Sequence, residues 1–218
     1  MAPHSFVRGL GILTTLAAFL SACAHHPSAD LVPLHQATVL IEHAKGHGTG
    51  TILSRHAVLT AYHVVQNDPL AVRFFEGPSA PGQVVWSDPV LDLALVSVAV
   101  PDGYPAPGLA CEELHPGQHL VSIGHPTQSR WVAVGGYLPA IEPFGGGLVS
   151  LGFPIGLGTS GGPVFDADGR VVGVALAILA ERVSASAAYD RYKDTGIGLM
   201  LPAKDFCTAI AATYRRTG

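Results

Sequence analysis

Residues 158–163 read Gly158-Thr159-Ser160-Gly161-Gly162-Pro163, and this stretch places one hydroxyl group in a glycine-rich turn. Glycine lets a backbone turn tightly and adopt conformations that other residues resist. The backbone N–H groups of Gly158 and Ser160 can then point at one spot beside the hydroxyl. Such donors would stabilise negative charge on a reacting oxygen, and losing one typically costs about 3–4 kcal/mol of transition-state stabilisation. The turn therefore predicts a nucleophile, Ser160, next to an anion-binding cradle.

The hydroxyl of Ser160 needs a proton acceptor, and His63 is the expected one. A serine hydroxyl is a weak nucleophile until a base takes its proton during attack. His63 lies in Thr60-Ala61-Tyr62-His63-Val64-Val65. Its imidazole group titrates near neutrality, which suits it to accept and return a proton.

A carboxylate is expected to hold the imidazole of His63 in one tautomer. We prefer Asp92, because it stands at the front of the alternation Asp92-Leu93-Ala94-Leu95-Val96 and a strand could carry it inward. Asp88 is the alternative, but it precedes Pro89 and is typical of a turn.

From residue 38 onward, short apolar runs alternate with turns marked by Gly, Pro and Asp, which is typical of an all-β sandwich or barrel. The candidate strands are Thr38–His43, Gly50–Ser54, Ala57–Thr60, Ala71–Phe75, Gln83–Ser87, Leu91–Val98, His119–Ile123, Trp131–Leu138, Leu148–Phe153, Pro163–Phe165, Arg170–Leu176 and Ile197–Leu201. Asp166-Ala167-Asp168-Gly169-Arg170 is a hairpin signal, since Asp-Gly suits turn positions with positive φ. The glycine-rich patches Gly46–Gly50 and Gly145–Gly147 are expected to be loops.

The most polar long stretch runs from Ala180 to Thr195, and we expect it to be an exposed loop beside the site. A final helix is expected from Lys204 to Arg215. Phe206, Ile210 and Tyr214 recur every four residues there, so they would share one helix face.

The order His63, Asp92, Ser160, with the residues around each, resembles the trypsin-like (chymotrypsin-fold) serine proteases. The closest likeness is to their bacterial high-temperature-requirement (Deg) branch, and it extends from about Thr38 to Tyr214. Four further motifs carry it: Gly48-Thr49-Gly50-Thr51-Ile52-Leu53-Ser54, Pro116 to Pro126, Gly169-Arg170-Val171-Val172-Gly173-Val174, and Gly196-Ile197-Gly198-Leu199-Met200-Leu201-Pro202.

This resemblance implies an all-β fold of two six-stranded antiparallel β-barrels with a C-terminal α-helix. The protease domain would span residues 37–218, with the boundary between the barrels near residues 105–117. The resemblance also implies an endopeptidase that hydrolyses peptide bonds in polypeptide substrates through a Ser-His-Asp triad and an acyl-enzyme. No cofactor is expected.

The same resemblance suggests where a specificity pocket would lie. Pro154 stands six residues before Ser160, at the position that trypsin-like members use for the base of the pocket. It offers no acidic group to attract Lys or Arg, and Leu199 and Leu201 suggest apolar walls. We therefore expect cleavage after small or medium apolar residues. Thr159 replaces the Asp or Asn that is usual before the nucleophile, so zymogen activation of the trypsin kind is not expected.

The N-terminal residues are typical of an export signal. Arg8 precedes the uncharged apolar run Gly9–Leu20, which is too short to span a bilayer comfortably, since that takes roughly 20 apolar residues. The run closes with Leu20-Ser21-Ala22-Cys23, which resembles the bacterial lipobox. We expect residues 1–22 to be a lipoprotein signal peptide and Cys23 to be the lipidated first residue of the mature protein. The alternative is an ordinary signal in which this cysteine is incidental.

Residues 23–36 are expected to be the lipidated cysteine and a short tether, because Pro, Ser and His interrupt any periodic pattern there. The lipid bilayer would then be a partner through acylated Cys23. The expected location is the cell envelope, at the outer or inner membrane and facing the periplasm. Ala24 resembles the residue that follows the lipidated cysteine in outer-membrane sorting.

Two cysteines remain, Cys111 and Cys207, and an oxidising compartment would permit a disulfide between them. Some trypsin-like proteases link the interdomain connection to the terminal helix, and these positions could match that link. The alternative is two separate buried thiols.

Composition argues against two other classes of function. A formal net charge of −4 and a pI near 6.2 give no electrostatic footprint for nucleic acid. Among the eleven histidines, His43 and His47 have four-residue spacing, but the glycines beside them favour a turn over a ligand-bearing helix face. We expect no metal site.

Two rival functions stay open on the sequence alone. The first is a protease-fold binding lipoprotein without turnover, in which Tyr62 displaces the histidine or the pocket is closed. The second is a purely structural envelope lipoprotein, which requires the triad to be coincidence.

Overall fold

The first half of the chain closes into a six-stranded antiparallel barrel with the strand order β1-β2-β3-β6-β5-β4. Its strands are β1 (Thr38–His43), β2 (Gly46–Ser54), β3 (Ala57–Ala61), β4 (Leu70–Phe74), β5 (Ser79–Asp88) and β6 (Leu93–Ser97). Apolar side chains from every second position fill its interior, including Val39, Ile41, Ile52, Val58, Val72, Phe74 and Val96. Burying each such side chain contributes about 1.5–3 kcal/mol, so the alternation of the sequence fixes which strand face turns inward.

The second half forms a six-stranded sheet in the order β8-β7-β10-β11-β12-β9, again antiparallel throughout. Its strands are β7 (His119–Gly124), β8 (Val132–Tyr137), β9 (Val149–Pro154), β10 (Pro163–Phe165), β11 (Val171–Ala185) and β12 (Asp190–Pro202). The end strands approach each other, since a Cβ at Gly136 of β8 would lie 3.0 Å from the ring of Phe153 of β9. A helix, α2 (Ala203–Thr217), follows β12. The expected fold, two six-stranded barrel-like sheets with a C-terminal helix, is confirmed.

The structure, a computed structural model, describes residues 30–66, 69–185 and 190–217. The predicted signal peptide, residues 1–22, and the predicted lipidation site, Cys23, lie outside the described residues. Across the described ranges, no helix is long and apolar enough to cross a membrane.

The predicted tether ends earlier than expected. Residues from Val32 to Ala37 form a short helix, α1, instead of the irregular linker predicted up to residue 36. The helix forms because Leu34 and Ala37 are buried against Ile123 and Phe165 of the second sheet. Of the Pro, Ser and His residues that argued for a linker, Pro33 and His35 lie within this helix, and Pro33 is in its first turn, which tolerates proline.

The prediction of a loop from Ala180 to Thr195 is also wrong, because most of this stretch is β-strand. The structure continues β11 and β12 through this stretch as a two-stranded ribbon, pairing Ala180 with Asp194 and Ala185 with Asp190. Ladder hydrogen bonds join backbone groups, so a ribbon needs no apolar pattern of side chains. The same reason explains why β2 begins at Gly46, within the predicted glycine loop Gly46–Gly50, where it pairs with His43 of β1.

A disulfide joins Cys111 to Cys207, with 6.0 Å between their Cα atoms. Cys111 lies in the connection between the two barrels, and Cys207 lies in α2. The bond therefore fastens the terminal helix to the interdomain connection.

Candidate active site

His63 and Asp92 lie in direct contact at one end of the first barrel. Strand β3 ends at Ala61, and a 3-10 turn from Tyr62 to Val64 then presents the imidazole. The Nδ1 atom of His63 lies 2.7 Å from Oδ2 of Asp92. The other carboxylate oxygen, Oδ1, accepts a hydrogen bond of 3.0 Å from the backbone N–H of His63. Both oxygens of Asp92 thus bind the same residue.

The backbone of Asp92 adds a third bond to this arrangement, because its carbonyl accepts from the N–H of Tyr62 at 2.9 Å. Asp92 does not lie within a strand, as the alternation suggested, but directly before β6, with a φ of 54°. This left-handed conformation is uncommon outside glycine, although Asp tolerates it better than most residues. Here the turn lets the side chain and the backbone of one residue both face the histidine segment.

The alternative carboxylate, Asp88, binds backbone groups of its own turn. Its Oδ1 atom accepts from the backbone N–H groups of Val90, at 2.9 Å, and Leu91, at 3.1 Å. Asp88 therefore closes its own turn, as its place before Pro89 predicted.

The tautomer of His63 follows from this contact. A carboxylate oxygen only accepts, so Nδ1 must carry the proton, and the lone pair of Nε2 is then available as a base. The side chains of His63 and Asp92 are 43% and 33% exposed, so the pair lies at the protein surface and a substrate can reach it.

The Ser160 turn packs directly against the segment that leads to His63. A Cβ at Gly161 would lie 2.3 Å from the Thr60 hydroxyl and 2.7 Å from the Ala61 backbone nitrogen. No side chain fits there, which explains the glycine after the nucleophile. From the other side, the backbone N–H of Thr49 donates to the carbonyl of Ser160 at 2.9 Å.

The hydroxyl of Ser160 has a different partner from the one the chemistry needs. It donates to the carbonyl oxygen of Leu176, with 3.4 Å between the oxygens. Within the described parts of the chain, no hydrogen bond joins it to His63. Catalytic hydrogen bonds are often long or poorly aligned before substrate binds, so this geometry does not exclude Ser160 as the nucleophile.

The peptide between Leu157 and Gly158 is held in a definite orientation. The carbonyl of Leu157 accepts from the backbone N–H of Thr127 at 2.7 Å. A trans peptide is planar, so the N–H of Gly158 points in the opposite direction from that carbonyl. Gly158 has a φ of 99°, a conformation that favours glycine.

The two expected oxyanion donors are free to bind a ligand. Within the residues that the structure describes, neither the N–H of Gly158 nor that of Ser160 donates to a protein acceptor, whereas the intervening N–H of Thr159 binds the Gly156 carbonyl at 3.0 Å. Both residues are partly exposed. Within the described residues, two donors one residue apart thus lack a protein acceptor, and an oxyanion site needs donors of this kind.

A family model described as the Trypsin-like peptidase domain matches residues 48–174, which include the histidine, the aspartate and the serine. The chain belongs to this family.

Several known relatives of this trypsin-like domain are high-temperature-requirement (Deg) proteases. A "Probable periplasmic serine endoprotease DegP-like" protein of Pseudomonas fluorescens is 33% identical over 145 residues, which are 60% of this chain and 29% of the relative. "Serine protease HTRA1" of Xenopus laevis is 31% identical over 139 residues, 58% of this chain and 30% of the relative. The chain thus spans less than a third of the length of these curated relatives. They confirm the resemblance to the high-temperature-requirement branch.

Solved structures agree with the trypsin-like fold. An HtrA-type protease, AlgW with a tripeptide, is 25% identical with a TM-score of 0.70, covering 82% of this chain and 60% of that one. A serine endoprotease from Yersinia pestis, at 21% identity, has a TM-score of 0.67 and covers 84% of this chain and 64% of that one. The second likeness shows the fold alone.

The predicted pocket residues of this trypsin-like domain lie in different surroundings. Pro154 is exposed at the end of β9, where it pairs with Ile197 of β12. Leu199 is buried at 6% exposure, opposite Ala177 of β11. Leu201, at 1% exposure, belongs to the hydrophobic core cluster that also contains Leu176 and Phe206. Two of the three predicted pocket residues, Leu199 and Leu201, are thus buried, and the pocket stays a prediction.

The sequence analysis did not recognise four residues that contact the candidate site: His47, Thr49, His125 and Thr127. Each makes a contact to the turn of Gly158 from a segment at least thirty residues away along the chain. His47 drew attention only as part of a possible metal pair with His43. Across the described ranges, no group of three or more His, Cys, Asp or Glu side chains is arranged to hold a metal ion.

Proposed function

We propose that this chain is a serine endopeptidase that hydrolyses peptide bonds through His63, Asp92 and Ser160. The observation that carries the proposal is the 2.7 Å contact between Nδ1 of His63 and Oδ2 of Asp92. It holds the imidazole in the tautomer that a general base needs, on the strand end against which the nucleophile turn packs. Membership of the trypsin-like family and the serine endoproteases among its relatives support the same activity.

In the proposed reaction, Ser160 Oγ leaves the Leu176 carbonyl and attacks the substrate carbonyl carbon. Nε2 of His63 takes the hydroxyl proton and later gives it to the leaving amine. Asp92 stays ionised and stabilises the imidazolium that forms in between. The N–H groups of Gly158 and Ser160 bind the oxyanion, and water then hydrolyses the acyl-enzyme by the same steps in reverse.

Active-site labelling with a fluorophosphonate tests this proposal. The purified full chain in detergent should become labelled on Ser160, Ser160→Ala should not, and His63→Ala should label far more slowly. Ser97→Ala, at the end of β6, is the matched control and should label like the wild type. Wild-type protein that is folded but neither labels nor cleaves casein would overturn the proposal.

A second candidate function has one observation in its favour. The Ser160 hydroxyl is bonded to the Leu176 carbonyl and not to His63, which suits a protease-fold protein that binds extended peptides without cleaving them. Such a protein would retain peptide affinity while showing no burst of product in rapid mixing. Equal peptide affinity in wild type and Ser160→Ala, without turnover in either, would favour this candidate.

The proposed substrates are extended polypeptide segments. Such segments can add to the edge of a sheet by backbone hydrogen bonds, with side-chain pockets setting the preference. Pro154 and Leu199 offer no charge, so we propose cleavage after small or medium apolar residues. Cleavage profiling with a peptide library tests this, and a preference for Lys or Arg at the cleaved bond would contradict it.

We propose that the protein is anchored in the cell envelope through lipid on Cys23, facing the periplasm. The lipobox-like Leu20-Ser21-Ala22-Cys23 supports the anchor, and the periplasmic DegP-like relatives support the compartment. Metabolic labelling with palmitate should mark the wild type and leave Cys23→Ser unmarked. Release of the wild type from membranes by high salt alone would contradict lipid anchoring.

A further inference from the structure

His47 lies directly beneath the turn that would bind the oxyanion. It belongs to β2 of the first barrel, and its Nε2 atom lies 2.8 Å from the backbone carbonyl oxygen of His125. A carbonyl only accepts, so Nε2 of His47 carries the proton and donates. The bond joins segments 78 residues apart, one from each barrel.

The missing side chain of Gly158 shows how closely this pair supports the turn. A Cβ at Gly158 would lie 2.4 Å from the His125 carbonyl oxygen and 2.6 Å from Nε2 of His47. Both atoms of the hydrogen bond thus touch the α-carbon face of the residue whose N–H is an oxyanion donor. The two hydrogen-bonded groups therefore pack directly against Gly158 and limit where its backbone can lie.

The same His125 segment also holds the neighbouring peptide. Two residues after His125, the backbone N–H of Thr127 binds the Leu157 carbonyl at 2.7 Å. That contact sets the direction of the Gly158 N–H. Any shift of the His125–Thr127 segment would therefore move the donor through two contacts at once.

On its far side, the segment is fixed by Trp131. The backbone N–H of Trp131 donates to Nδ1 of His125 at 3.0 Å, and the two rings meet edge to face with centroids 4.8 Å apart. The indole Nε1 donates in turn to the Thr38 carbonyl at 3.1 Å. The position of the segment is thus defined at one side by Trp131 and at the other by His47.

We propose that His47 is a positioning residue for oxyanion binding: its N–H bond to the His125 carbonyl holds the Gly158 turn where the donor meets the transition state. This inference rests on the proposed function. It predicts a specific defect, because a misplaced donor stabilises the transition state less well but hardly affects the binding of substrate. kcat should fall while KM changes little.

His47→Phe and His47→Gln form the test pair. Phenylalanine fills similar space without a donor, whereas the glutamine amide keeps an N–H that can reach the carbonyl. Losing an oxyanion donor outright costs about 100- to 1,000-fold in kcat. Since His47 acts through a neighbour, we expect His47→Phe to lower kcat about 10- to 100-fold. His47→Gln should recover most of the loss, and KM should stay within about threefold in both.

A spectroscopic measurement separates positioning from general loss of structure. A peptidyl chloromethyl ketone with a ¹³C-labelled carbonyl forms a tetrahedral adduct whose oxyanion lies in the cradle. The ¹³C shift of this adduct should titrate at higher pH in His47→Phe than in the wild type, because the oxyanion is less well stabilised. Circular dichroism and thermal melts verify folding, and if His47→Phe fails to fold, the comparison is made between His47→Gln and His47→Ala.

The possible failures are distinguishable. A wild type without labelling or turnover overturns the proposed function and this inference together. An active wild type with unchanged kcat in His47→Phe overturns the inference alone. A raised KM at unchanged kcat, or a glutamine variant as impaired as phenylalanine, also overturns it.

Discussion

The hydroxyl of Thr49 donates a hydrogen bond to the carbonyl oxygen of Gly158, with 2.7 Å between the two oxygens. The backbone N–H of the same threonine donates to the Ser160 carbonyl at 2.9 Å. One residue of the first barrel therefore binds the carbonyls of both Gly158 and Ser160, the two residues whose N–H groups are the proposed oxyanion donors. Strand β2 of the first barrel thus supports the turn of the proposed oxyanion donors in the second.

Replacing Thr49 by valine should lower kcat about tenfold or more. Valine keeps the shape of the fully buried side chain but leaves the Gly158 carbonyl without its donor, so the turn loses a contact that positions it. Thr49→Ser, which keeps the hydroxyl, is the matched control and should retain most activity. Steady-state kinetics on one peptide substrate measures both, and equal rates for valine and serine would contradict the assigned role.

Asp92→Asn should reduce kcat about 10⁴-fold with little change in stability. An asparagine oxygen can still accept from the backbone N–H of His63, so the turn survives. Its amide group then faces Nδ1, which favours the wrong imidazole tautomer. kcat and thermal melting measure the two effects.

Asp88→Asn is the control for the aspartate prediction. Within the residues that the structure describes, the side chain of Asp88 binds backbone N–H groups of its own turn and no catalytic residue, so this variant should keep its kcat. A loss of activity as large as that of Asp92→Asn would contradict the different roles proposed for the two carboxylates.

Gly158→Ala should lower kcat about 100- to 1,000-fold, as the loss of an oxyanion donor does. The added methyl would meet the His125 carbonyl oxygen at 2.4 Å, and the backbone at a φ of 99° disfavours alanine in any case. The turn can relieve the clash only by moving the N–H that binds the oxyanion. Single-turnover kinetics of acylation would detect the change.

Gly103→Ala separates the clash from backbone strain. Gly103 has a φ of 90°, but no atom lies within 4 Å of an added Cβ. This variant should lose about 1 kcal/mol of stability and none of its activity. Activity loss in both glycine variants would point to general destabilisation instead of a displaced donor.

Elements with a strong local pattern were predicted well. Strand β1 begins and ends at the predicted residues, Thr38 and His43, because its apolar run is followed directly by a polar, glycine-containing turn. Strand β10, Pro163–Phe165, was also predicted with its observed bounds. The polar ribbon around Ala180 was missed, because its ladder of backbone bonds leaves no mark in residue composition.

The site was predictable where chemistry requires a residue type, and not where it requires a contact. His63, Asp92 and Ser160 stood out because general-base chemistry needs those side chains. The φ of 54° at Asp92 has no local signal, since the alternation after it favours a strand. His47 could not be recognised, because its partner, His125, is brought to it only by the packing of the two barrels.

His125 should make the folded state less stable as the pH falls below neutrality. Burial first of all, with the nearby charges of Arg130 and His47 adding to it, lowers the pKa of the fully buried His125 to about 3. In the unfolded chain the same side chain has a pKa of about 6.5. Between pH 6.5 and 3 the unfolded state therefore binds a proton that the folded state does not, so stability decreases as the pH decreases through this window.

His125→Asn removes this dependence, because asparagine does not titrate and its carbonyl can still accept from the Trp131 N–H. Urea unfolding of the wild type should lose stability relative to the variant by up to about 1.4 kcal/mol for each pH unit below 6.5. Above pH 7 the two free energies should differ by a constant amount. If the unfolding free energies of wild type and variant instead run parallel from pH 7 to pH 4, His125 takes up its proton in the folded protein as it does in the unfolded chain. That result would contradict the prediction.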